Sequence, residues 1–113
     1  MKRLFATLAV SAAMLPGAAF AKDTRFWNLT AHTITSLQLS PAGTEAWGPE
    51  QTANDPDGGV DHDERLKITG VASGVYDVRF TDKTGRRCRV KDVAVEQSGV
   101  FSLDEKSLKD CTR

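Results

Sequence analysis

From Val75 to Val95 apolar and polar residues alternate on either side of a turn, and this pattern constrains the fold more than any other. Tyr76, Val78 and Phe80 fall on one face of an extended chain, and Asp77 and Arg79 fall on the other. Asp82-Lys83-Thr84-Gly85 reads as a turn with glycine at its last position. Arg86 to Val95 then resumes the alternation, with Cys88 and Val90 on one face, so the segment predicts a β-hairpin.

The rest of the chain reads in the same way. Arg25 to Thr30 carries Phe26, Trp27 and Leu29, and Thr33 to Leu39 carries Leu37 and Leu39 on one face. A tight turn at Ala31-His32 is expected to join these two runs as a hairpin. Leu66 and Ile68 alternate in a further strand that ends at Gly70, and Ser98-Gly99 turns the chain into Val100 to Leu103. Asp104 to Cys111 is expected to form one or two helical turns capped by Asp104. The expected fold is all-β, a small antiparallel β-sandwich or barrel of six to seven strands with a short C-terminal helical turn.

The N-terminus belongs to a different class of sequence. Lys2 and Arg3 precede an apolar run from Leu4 to Leu15, and Ala19-Phe20-Ala21 forms an A-x-A cleavage site. Residues 1–21 therefore read as a secretory signal peptide, and 22–113 as a single exported β domain. The run is shorter than the roughly 20 apolar residues needed to cross a bilayer, and no later segment is apolar enough to cross one. A soluble protein of a bacterial periplasm is the expected product. In an oxidising compartment Cys88 and Cys111 are most simply one disulfide, since no CxxC motif points to a metal or a catalytic thiol.

Charge is segregated along the chain. The full sequence has 15 basic and 15 acidic residues, which argues against a general nucleic-acid binder. Removing Lys2 and Arg3 leaves 13 basic residues and a net charge of −2. Phe26 to Glu64 has no Lys or Arg and a charge of −7, whereas Arg65 to Arg113 carries +4. Arg79, Lys83, Arg86, Arg87, Arg89 and Lys91 make the hairpin basic. They offer a site for phosphate, anionic lipid or polyanions, although a solvated outer strand face is the simpler reading.

The long irregular stretch, Ser40 to Asp63, holds an acidic loop. With Ala53 set at the first position of the calcium-loop pattern, Asp55 falls third, Asp57 fifth, Gly58 sixth, Val60 eighth, Asp61 ninth and Glu64 twelfth. Only the first ligand is missing, and Asn54 or Glu50 is a substitute for it. A second chain completing the sphere would give a metal-bridged homodimer. Strand-like Leu66 to Thr69 follows where an EF-hand would have a helix, and an Asp/Gly-rich solvated turn is the competing explanation. The expected metal residues are Asp55, Asp57, Asp61, Asp63 and Glu64. All-oxygen ligation favours calcium or a trivalent lanthanide. His62 lacks a partner at ligand spacing and reads as a surface residue.

Asn28-Leu29-Thr30, Ser40-Pro41 with Trp47-Gly48-Pro49, Tyr76-Asp77-Val78-Arg79-Phe80 and Asp82-Lys83-Thr84-Gly85 together resemble a family of small exported alphaproteobacterial proteins of mostly unknown function. In size, export and acidity the chain also resembles the landiscernin-like periplasmic lanthanide-binding proteins of methylotrophs. That resemblance implies metal trafficking rather than catalysis, and it assigns no residues. No G-x-S-x-G, H-E-x-x-H or P-loop motif occurs, so no enzyme is expected. The first functional expectation is therefore a periplasmic binder of lanthanide or calcium ions. The second is a metal-independent envelope interaction module using the basic hairpin or the loop that bears Trp47.

Overall fold

The computed structural model describes residues 22–113, so the expected signal peptide lies outside the described residues. Seven strands form two sheets: β1 (Thr24–Leu29), β2 (Ile34–Pro41), β3 (Arg65–Ile68), β4 (Gly74–Asp82), β5 (Arg87–Val95), β6 (Val100–Asp104) and β7 (Asp110–Thr112). One sheet has the order β3-β1-β6 and the other β2-β4-β5-β7. The fold is the expected all-β sandwich. Its pairs are antiparallel except β1 with β6, which run parallel with Phe26 beside Phe101. No helix among the described residues is long and apolar enough to cross a membrane.

The two layers face each other through Phe26, Leu66, Ile68, Phe101 and Leu103 on one side and Leu37, Leu39, Val78, Phe80 and Cys88 on the other. Simple alternation would not place Ile34 and Leu37 on the same face. A register shift between Ile34 and Ser36 does so, and both are fully buried. A second shift lies opposite Asp77, where Lys91 and Asp92 stand against one residue and Asp92 takes a φ of 58°. Asp77, expected on the polar face, is buried at this bulge. Its carboxylate accepts from the Asp92 and Gly43 backbone N–H groups at 3.2 and 3.0 Å.

The hairpin expected between β1 and β2 does not form. β1 pairs with β3 and β6, while β2 pairs with β4. The buried Asn28 side chain directs the chain from one sheet to the other. Its Nδ2 donates to the carbonyls of His32 and Val60 at 3.0 and 2.9 Å. Its Oδ1 accepts from Thr30 N and Thr30 Oγ1 at 2.9 and 2.6 Å. A crossover sets the apolar faces of β1 and β2 against each other, whereas a hairpin would lay them side by side.

The expected β4–β5 hairpin is present. Asp82, 2% exposed, accepts through its carboxylate from Thr84 N, Thr84 Oγ1, Arg86 N and Arg86 Nε. Gly85 takes the left-handed φ of 87° that closes the turn. The C-terminal helical expectation is met by one short turn. Glu105–Ser107 is a 3-10 turn with a capping box on Asp104, and Cys111 lies beyond it in β7. Cys88 and Cys111 stand directly opposite in the β5–β7 pair, Cα atoms 4.0 Å apart, and form the disulfide. The bridge closes a loop that in chain-entropy terms is worth about 3 kcal/mol, and it secures an edge strand only three residues long.

Arg86 ties the hairpin turn to the end of the other sheet by a two-point pair with Glu105 at 2.9 Å, while Glu105 also accepts from Ala31 N. The Arg86 guanidinium, then the Ala31 N–H, hold the Glu105 carboxyl down at about 2 from its ordinary 4.5. A depressed carboxyl contributes stability that is complete above 4.5 and is lost as pH falls toward 2. Urea melts should therefore show wild type exceeding Glu105→Gln at pH 7, with the gap closing between about pH 4.5 and 2. A gap that persists unchanged at pH 2 would contradict the assignment.

Candidate functional site

Each acidic residue of the Ser40–Asp63 stretch has a defined place, and most of these places are structural. Glu50 caps a short 3-10 turn, Gln51–Asn54. Its carboxylate accepts from Ser36 Oγ at 2.6 Å, Leu37 N at 2.5 Å and Thr52 Oγ1 at 2.9 Å. Burial pushes its carboxyl up, but the hydrogen bonds from Ser36, Leu37 and Thr52 outweigh that and hold it below its ordinary value. Glu50 thus supplies an acceptor along the free edge of β2. Gly48 N, donating to Leu39 O, and Thr52 Oγ1, donating to Thr35 O, complete that edge. On the other sheet, Gln51 pairs both ways with the Thr69 backbone, and Asn54 donates to Lys67 O. One turn therefore seals an edge of each sheet. Glu50 and Asn54, the substitutes for the missing first ligand, are both engaged in this seal.

The five expected ligands are divided between two turns. Asp55 accepts from Asp57 N at 2.8 Å, and Gly58 closes that turn with a φ of 74°, as its place in the pattern requires. Val60, the apolar eighth position, is buried and exchanges both backbone hydrogen bonds with Ile34 at 2.9 Å. Beyond it Asp61 accepts from Thr33 Oγ1 at 2.8 Å, and Glu64 accepts from Asp61 N at 2.9 Å. Asp63 accepts from Trp27 Nε1 at 2.9 Å. His62 Nδ1 lies 2.7 Å from Thr30 O. Among the described residues no three His, Cys, Asp or Glu side chains converge as a metal cluster.

A different constellation forms on the outer face of the four-stranded sheet. The hairpin register sets Arg79 opposite Arg89 and Thr81 opposite Arg87. The neighbouring strands add Gln38 beside Arg79 and Asp110 beside Arg89. Ser36, Gln38, Arg79, Thr81, Arg87, Arg89, Asp110 and Thr112 line a concavity of about 450 Å³. The segment between Pro41 and Gly48 lies against two of these arginines. Thr44 N donates to Pro41 O at one end, and Gly48 N to Leu39 O at the other. Trp47 from this segment stacks on two guanidinium groups, with Arg79 Cζ 4.3 Å and Arg89 Cζ 5.1 Å from its ring centre. Arg79 Nε donates to Gln38 Oε1 at 3.0 Å, and Arg89 pairs with Glu45.

Two donors on this face are underused. Arg89 Nε is buried with no acceptor, the one such side-chain atom among the described residues. Arg87 takes part in no ion pair among them. Of the other basic hairpin residues, Arg86 is committed to Asp82 and Glu105. Strand alternation alone presents Arg87 and Arg89 as a solvated face and gives Trp47 no link to them. A turn at Asp82–Gly85 fixes that Arg79 stands opposite Arg89, but no local pattern brings Trp47 to them. Trp27, the other indole, stacks under Arg65 at 4.2 Å at the opposite sheet and does not join this face.

Comparison with known proteins gives no match: no family model, no curated protein and no solved structure matches the chain.

The contrast between the two sites is measurable. Removing the Glu50 carboxylate (Glu50→Ala) leaves the Leu37 N–H without its acceptor and removes the cap, a cost of roughly 1–3 kcal/mol. Asp57→Ala, at an exposed turn position, should stay within about 0.5 kcal/mol. Chemical denaturation separates the two, and equal losses would refute the edge-sealing role of Glu50.

Proposed function

We propose that the chain is an exported, non-catalytic binding module whose partner places anionic groups on the Arg79–Arg87–Arg89 face beside Trp47. One observation carries this reading: Trp47, far from the hairpin in sequence, stacks on two of the arginines that line one concavity together with Arg87. Arg87 is exposed with no ion-pair partner among the described residues, and Arg89 is reached from outside at its pair with Glu45, so both offer donors to an incoming anion. Arginine suits the task because its planar fork takes carboxylate or phosphate at two points and stacks on an indole. The Cys88–Cys111 bridge supports placement in an oxidising compartment such as the periplasm.

The measurement is tryptophan fluorescence during titration with a panel of small anions and anionic polymers. Binding should resist chelator, weaken with salt and fall at least tenfold in the double variant Arg87→Glu/Arg89→Glu. Indifference to the double reversal would refute this reading.

A second reading, lanthanide or calcium binding by Asp55, Asp57, Asp61, Asp63 and Glu64, is favoured by the exposure of four of these side chains and by their density in one stretch. It requires Asp63 to release Trp27 Nε1 and Asp61 to release Thr33 Oγ1 so that the carboxylates can converge. A ligand at 100 times its Kd stabilises by about 2.7 kcal/mol, so a true site raises the melting temperature by several degrees in excess Ca²⁺ or La³⁺. An unchanged Tm in both ions rejects this second reading.

A further inference from the structure

We propose that the arginine face takes an acidic peptide, and that Glu45 of the segment between Pro41 and Gly48 is an internal stand-in for the peptide's carboxylate. This rests on the binding-module reading and names its ligand class. The carboxylate of Glu45 sits on Arg89 in an ion pair, beside the Trp47 ring that stacks on the same guanidinium. Its side chain is 62% exposed, so water and ligand reach the pair from outside. The Glu45 backbone holds a φ of 57°, in the left-handed region unfavourable to a residue with a Cβ.

The segment carrying Glu45 is anchored at both ends and open between them. Gly43 N donates to Asp77, Ser40 Oγ and Thr44 Oγ1 lie 3.0 Å apart, and Gly48 N donates to Leu39 O. Glu45 and Ala46 are exposed, whereas Trp47 is half-buried against the arginines. A carboxylate from a partner can therefore replace Glu45 on Arg89 without unseating the anchors. A second carboxylate then has Arg87 within the same concavity. Across the sheet, Asp110 and Thr112 of β7, Thr81 of β4 and Ser36 of β2 offer acceptors and donors for a peptide backbone. A chain with several carboxylates along a polar backbone matches this layout in charge and in hydrogen bonding.

The stand-in makes a prediction that generic attraction does not. Isothermal titration of the oxidised chain with N-acetylated, C-amidated hexaglutamate should show binding, and Glu45→Gln should tighten it about tenfold by removing the internal competitor. Asp57→Asn removes the same charge from a turn that does not line the face, and it should change affinity less than twofold. Arg89→Gln should abolish the gain from Glu45→Gln. Thermal melts confirm that the Glu45→Gln fold is intact, as expected for an exposed side chain. If wild type binds but Glu45→Gln and Asp57→Asn are alike, the stand-in is overturned while the binding module stands. If polyphosphate or anionic vesicles bind and hexaglutamate does not, the peptide class is overturned and the module again stands. If no anion binds, both fall together.

Discussion

The buried carboxylate of Asp82 is the constraint on which most of the molecule depends. It accepts four hydrogen bonds from the turn it begins, and through them it fixes where β4 stops and β5 starts. Once that turn is set, Phe80 must face Cys88 and Arg79 must face Arg89. The first pairing puts Cys88 into the core, where Cys111 meets it and pins the C-terminal strand. The second brings two guanidinium groups together on the outer face, where Trp47 stacks on both. Arg86, held by the same carboxylate, reaches Glu105 and ties the turn to the other sheet. Burial alone would push the Asp82 carboxyl up, but the bonds from Thr84 and Arg86 prevail and keep it below its ordinary value.

The acidic stretch finds hydrogen-bond donors within the chain. Two unit charges roughly 8 Å apart at a wet surface repel by only about 0.5 kcal/mol, and salt reduces this further. A hydrogen bond to a charged group contributes roughly 1.5–3 kcal/mol. Crowding of carboxylates therefore does not by itself demand a cation when backbone and side-chain donors are near. Glu50 takes donors from β2, Asp61 from Thr33, Asp63 from Trp27 and Glu64 from Asp61. Asp and Gly at short intervals produce turns for the same local reasons that they produce calcium loops. Gly58 turns and Val60 is buried under either description.

The strands were legible because their alternation is local, and β3, β4, β5 and β6 lie close to where it places them. The partners were less legible. Nothing local in Ala31-His32 distinguishes a hairpin from a crossover. The difference lies in the Asn28 side chain reaching Val60, a contact 32 residues away in sequence. The parallel pairing of β1 with β6 and the role of Glu50 are equally non-local. Bulges hid two further facts, since alternation counted through Thr35 or Asp77 assigns Ile34 to the wrong face and Asp77 to solvent. The candidate face was half legible. Its arginines follow from the hairpin register, but Trp47 arrives from a loop whose path no periodicity encodes.

The two charged regions also differ in how their groups are engaged, and this difference favours one of them in the proposed function. In the acidic turns Asp55, Asp61, Asp63 and Glu64 accept from nearby N–H or O–H groups, and Asp57 is exposed. On the basic face Arg89 Nε is shielded from water and lacks an acceptor, while its neighbouring nitrogen is met by a carboxylate on a strained, exposed loop. Exposed charges gain little from a partner because solvent already screens them. Guanidinium groups stacked on an indole are already ordered, so an anion that reaches them loses less to side-chain entropy. On these grounds the arginine face carries the proposed binding module, even though the greater density of charge lies in the acidic stretch.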